Sequence, residues 1–146
     1  MSLFALVLSR NTIQTSNSTT LEMISTQAFY AAESGGQRGM KRLFFPSANV
    51  RQQVDMRCND LITTPIIMSF SSGTNDVPGL NGCNVVVTCG CSYAGNNVCA
   101  PAVAANYSTT SAATSSFYKI SSVATCGNGS LQAVRTIEVG SFLEQE

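Results

Sequence analysis

The stretch Thr26–Phe45, TQAFYAAESGGQRGMKRLFF, decides how this chain is built. Leu21, Ile24, Ala28, Ala31, Ala32, Gly35, Met40, Leu43 and Phe44 recur at three- and four-residue steps, the pattern of an amphipathic helix. Gly35, Gly36 and Gly39 stand against it, since each glycine inside a helix costs about 0.8–1 kcal/mol relative to alanine. Their spacing supplies the reason. Ala31, Gly35 and Gly39 fall four apart, and Ala28, Ala32 and Gly36 form a second row beside them. Small residues one turn apart leave a groove that another backbone or large side chains can approach closely. The spacing therefore predicts continuous helix from about Thr19 to Leu43, with the small face at 28–39 turned onto a sheet. The alternative is a kink or fray beginning at the adjacent glycines.

Outward from this stretch, the chain is free of proline from Leu3 to Phe45 and reaches Pro46, a normal helix stop. At 1.5 Å per residue such a segment would span on the order of 60 Å, a shaft longer than a small core requires. The Thr- and Asn-rich patch at 11–20 lowers helix propensity and is a candidate break. Leu3 to Leu8 form an apolar run, well short of the ~20 residues of a membrane span. A secretory signal would show a basic start, a longer apolar region and a cleavage site. The run reads instead as the last turns of a longer membrane helix.

Eight basic and eight acidic residues among 146 balance to zero, and charged residues make up only 11%. That leaves no electrostatic footprint for nucleic acid and no polybasic membrane patch. The chain has no histidine, so it lacks the commonest general base and the commonest metal ligand.

Cys58, Cys83, Cys89, Cys91, Cys99 and Cys126 are even in number and sit in turn-rich contexts such as TCGCSYAGNNVCAP. Together they predict a disulfide-stapled domain in an oxidising compartment, with 15 possible pairings. Two rivals remain open: a zinc site using Cys89, Cys91 and Cys99, or a redox pair Cys89–Cys91. The first lacks paired C-x2–4-C knuckles and the second is not C-x-x-C.

After Pro46 the pattern changes, which divides the chain into a helix at 1–46 and a head at 47–146. A short helix is expected near Ser47–Cys58 and a short strand at Ile66–Phe70. CNVVVTCGCSY (83–93), FYKISSVATC (117–126) and LQAVRTIEVGSF (131–142) alternate and are β-branched, as strands are. GNGS between the last two signals a hairpin. The Ala/Ser/Thr-rich segment at about 94–116 reads as an exposed loop tethered at Cys99. The fold class is α+β, a long N-terminal helix packed on a small antiparallel sheet.

Catalytic sets are hard to assemble from these residues. Glu22, Glu33, Asp55, Asp60, Asp76 and Glu138 are scattered, and a Ser–Lys pair would rest on Lys119 alone. GTNDVPG carries one aspartate, too few oxygen charges for a calcium loop. The reading is a structural subunit, not an enzyme, with no cofactor, metal or small-molecule substrate.

AFYAAESGGQRGMKRLF, followed by YKISSVATCGNGSLQAVRTIEV, resembles the minor subunits of type IV pili. The nearest resemblance is to the MshP family of the mannose-sensitive haemagglutinin (MSHA) pilus, with the A-x-x-A-A-E-x-G region shared by PilX and GspK-like minor pilins. It implies a pilin-like fold whose N-terminal half-helix anchors in the inner membrane of a Gram-negative bacterium and later packs in the pilus. Expected partners are other minor and major pilins, and the inner membrane through a segment absent from this chain. The implied role is to prime or cap a filament that passes from periplasm to cell surface, with a possible part in attachment; the alternative is a type II secretion pseudopilin. Interaction candidates are Glu33 on the helix, whose other reading is a solvated face near Arg38, and Tyr93, Tyr107 and Phe117 around the loop. This reading expects about 15–20 further apolar residues encoded upstream of Met1, enough to complete a span. An in-frame stop codon directly before Met1 in the gene would refute it.

Overall fold

The computed structural model describes residues 2–46, 50–70, 77–93, 97–108 and 114–144, with side chains from residue 18 onward. Helix α1 runs Ser2–Phe44 without interruption, so neither the patch at 11–20 nor the glycine pair breaks it. Helix α2 follows at Arg51–Thr63. It starts later and runs further than Ser47–Cys58, and residues 47–49 lie outside the described residues. Its end is set by Pro65, which keeps Thr64 out of the α region, at φ −127° and ψ 80°.

Four strands form one antiparallel sheet in the order β1-β2-β3-β4: Ile66–Phe70, Cys83–Tyr93, Ser115–Asn128 and Leu131–Glu144. The GNGS hairpin closes at Asn128 opposite Leu131, with Gly129 left-handed at φ +59°. In β2 the odd-numbered residues from Cys83 to Tyr93 are buried and face the helices. In β3 the even-numbered residues from Ser116 to Cys126 do the same, as the period of two requires. The exposed loop expected at about 94–116 is shorter than that. β3 begins at Ser115, and a 3₁₀ turn forms at Ala104–Tyr107, while 94–96 and 109–113 lie outside the described residues.

The two small-residue rows of α1 lie on this sheet. Ala28, Ala31, Ala32, Gly35, Gly36 and Gly39 are all buried, whereas Glu33, Ser34, Gln37 and Arg38 face outward. A methyl group on Gly35 would collide with the Ser122 hydroxyl and come within 2.6 Å of Val85 Cγ1. One on Gly39 would come within 2.8 Å of both Ile120 and Val87. Val85, Val87 and Ile120 are fully buried in the groove that results. Burial of each is worth about 1.5–3 kcal/mol, which outweighs the propensity cost of about 0.8–1 kcal/mol per glycine. The helix ends with Leu43 buried and Phe44 edge-on to Tyr118, 5.8 Å between ring centres. Arg57 of α2 caps it by donating to the Leu43 carbonyl at 3.1 Å.

Three disulfides hold the head: Cys58–Cys89 joins α2 to β2, Cys83–Cys126 joins directly opposed residues of β2 and β3, and Cys91–Cys99 closes a short loop. Cys89 and Cys91 are therefore not partners of one another. The two longer loops, separated by 31 and 43 residues, each restrict the unfolded chain by about 3–4 kcal/mol on the chain-entropy account.

Gly36 differs from its neighbours. An added methyl group there would lie 3.6 Å from Val139, an ordinary contact. Thermal denaturation should therefore move in opposite directions at two adjacent glycines. Gly36→Ala should stabilise by up to about 1 kcal/mol, and Gly35→Leu should destabilise by about 1–3 kcal/mol through overpacking. Equal melting of the two variants would mean that the face is not packed as described.

Candidate functional site

The densest polar chemistry of the described residues is inside the head, around Asp55. Val54, Asp55, Cys58 and Leu61 share the buried face of α2, and the carboxylate is 0% exposed. Three hydroxyls donate to it: Tyr118 to Oδ1 at 2.6 Å, and Tyr107 and Ser116 to Oδ2 at 2.7 and 3.0 Å. Arg51, one turn earlier on α2, lies buried beside it. Its guanidinium donates to Ser116 Oγ at 3.1 Å and to the Asn106 carbonyl. It also lies 4.6 Å from the centre of the Tyr107 ring and 5.5 Å from that of Tyr93, a cation–π arrangement. A buried carboxylate needs such compensation, because an unpaired charge in the interior is costly.

The network has a direction. Tyr107 gives its proton to Asp55, so Tyr93 must donate across the 2.9 Å contact to the Tyr107 oxygen. The Ala100 amide in turn donates to the Tyr93 oxygen at 3.0 Å. Gln52 adds a bond to the Pro101 carbonyl at 2.9 Å. The segment 97–108 is thereby clamped onto α2 and the sheet. Burial, followed by the hydrogen bond it donates to Asp55, pushes the Tyr107 phenol far above its usual range. Burial, followed by the bond to Asp55, does the same to Tyr118.

Tyr93 and Tyr107 thus do not stand outward as contact residues. Their hydroxyls are consumed by this network, and Tyr93 is buried. Phe117 is exposed on the far face of the sheet, where its ring lies 6.3 Å from that of Phe142. Glu33 is exposed on α1, on the rim of a groove shared with Phe29, Met40, Ile137 and Val139.

Asp55 Oδ1 lies 3.6 Å from Cys91 Sγ, and Asp55, Cys91 and Cys99 place their ligand atoms within 4.8 Å of one another. Cys91 and Cys99 are bonded together, however, and disulfide sulfurs are not the thiolates that bind metal. All six cysteines are paired, which leaves the zinc and redox alternatives no free thiol. The centre is a connected hydrogen-bond network that converges on the Asp55 carboxylate.

Sequence reasoning places Asp55 only among scattered acids and misses its partners. Its position three residues before Cys58, within V-D-x-x-C-x-x-L, puts it on the buried face of α2. Ser116 and Tyr118 alternate with Ile120 on the core face of β3. Comparison with protein-family models, curated proteins and solved structures finds no match.

The raised phenols fix a pH dependence. In the unfolded chain tyrosine loses its proton near its ordinary value of 10.0, while the folded chain holds the protons of Tyr107 and Tyr118. Their contribution is complete below pH 10 and is lost as pH rises beyond it. Stability measured by urea melts should fall from about pH 10 upward, more steeply in wild type than in Tyr118→Phe. At neutral pH that variant should cost about 1.5–3 kcal/mol, as for a hydrogen bond to a charged group. An unchanged alkaline slope would contradict the assignment.

Proposed function

We propose that this chain is a structural subunit of the minor-pilin type, acting in assembly of a type IV, MSHA-like filament. The observation that carries the reading is the division of labour along α1. The helix is 43 residues long, and among the described side chains the first packed against the core is Ile24. Ser18 to Met23 are exposed, and at 1.5 Å per residue the segment before Ile24 amounts to about 30 Å of helix. The helix from Ile24 onward thus builds the head, and in this reading the part before it serves contacts outside. Disulfides support passage through an oxidising compartment such as the periplasm. No helix among the described residues is long and apolar enough to cross a membrane.

The partners of such a subunit are other pilins of the same system, which meet it through α1 and the head. The test is co-purification of this chain with the minor pilins encoded beside it, from cells that assemble the filament. Capture of at least one of them, weakened in Gly35→Leu where the head seats less firmly on α1, is the expected result. If the chain captures none of them, and deleting its gene leaves filament number unchanged, the reading fails.

A further inference from the structure

Strand β4 is a long edge of the sheet whose one inward-facing charge is Arg135. It pairs with β3 along all 14 residues, and among the described residues no strand pairs with its other side. Natural sheets blunt such edges with short strands, prolines, lysines or bulges. The opposite edge follows that practice, since β1 is five residues long and comes just after Pro65. β4 contains neither proline nor lysine. The two charges in its middle are drawn back onto its own chain. Arg135 Nη2 donates to Ser25 Oγ of α1 at 2.5 Å, and Glu138 pairs with Lys119 of β3 at 3.1 Å.

The core is also left open along this edge. Helix-facing residues of β2 and β3 are buried, yet Ala133, Ile137, Val139 and Leu143 of β4 are only half-buried. An open groove of about 510 Å³ lies along the junction of α1 and β4, with Phe29 and Met40 on the helix side and Ile137 and Val139 on the strand side.

We infer that two copies of this chain pair β4 to β4, antiparallel about a two-fold axis at Ile137, to join their sheets into one. A two-fold axis perpendicular to the sheet keeps helix-facing residues opposite helix-facing residues. With its centre at Ile137, Arg135 meets Val139, Ala133 meets Ser141 and Leu131 meets Leu143. On the outer face Thr136 meets Glu138 and Val134 meets Gly140. All but the last of the 14 residues pair, and no like charges are opposed. A centre at Arg135 or Glu138 would set like charges against each other, which is unfavourable. Both α1 helices then lie on one side of the joined sheet, each groove facing its copy. The strand alone falls short of the ~20–30 residues per side of a standard interface, and the flank of α1 around Phe29 and Met40 supplies the rest. The inference concerns this chain with itself and does not rest on the filament reading.

Sedimentation of the full chain across a dilution series should show a dimer that dissociates at low concentration. Val134→Glu together with Gly140→Glu sets two carboxylates opposite one another on each side of the axis and should weaken association by at least about tenfold. Val134 is half exposed, a side chain at Gly140 meets nothing within 4 Å, and a glutamate there stands opposite Lys119 of its own sheet, so both sites accept the change without loss of fold. Val134→Lys with Gly140→Glu replaces the repulsion by attraction in this register and should restore the dimer. A wild-type chain that stays monomeric at every concentration, as when the edge serves a strand of another protein, overturns the inference. So does a dimer indifferent to the glutamate pair, or one that the charge-complementary pair fails to restore.

Discussion

The structure depends on how closely α1 can approach the sheet. With glycine at 35 and 39, the side chains of Val85, Val87 and Ile120 reach the helix backbone itself, and one packed layer is enough for a chain of this size. That distance fixes the others. It brings Leu43 and Phe44 down beside Tyr118, it places the helix end where Arg57 can cap it, and it leaves the space in which α2 covers β2. A larger residue at either glycine would lift the whole helix, because valines on a paired strand have little freedom to move aside.

A second constraint is polar. Asp55 gathers hydroxyls from β3 and from the segment 97–108 into one buried point, and Arg51 balances it from the same helix. Apolar packing alone would hold α2 on the sheet with some freedom to slide. A carboxylate that must receive three donors at hydrogen-bond distance removes that freedom, since any shift strands a buried polar group. The same point orders the Ala-rich segment 97–108, whose small side chains offer little surface with which to order it.

What the sequence shows and what it hides divide along physical lines. The packed face of α1 is legible because small residues four apart have few uses in a helix. The strands are legible from their alternation, and the hairpin from its glycines. The even cysteine count points to disulfides but not to their pairing, because pairing depends on which strands are neighbours: Cys83 and Cys126 are partners only once β2 and β3 are in register. The extent of α2 is harder to read. Its stop is the steric effect of Pro65 on Thr64, and no change in composition announces it after Cys58. The inward turn of Tyr93 and Tyr107 is hidden for the same reason as the role of Asp55. Each is polar and removed from its partners along the chain, and only the fold brings them together.

The three disulfides are unevenly placed. They interlock α2, β2, β3 and the segment around Cys99, while α1 and β4 carry none. The molecule is thus a covalently braced block with two flanks attached only by packing and hydrogen bonds. A pull along the axis of α1 would load the small-residue seam in shear, so its contacts share the force instead of opening one after another. If that seam yields, the braced block keeps its own topology, and the helix has an unaltered surface to which it can return.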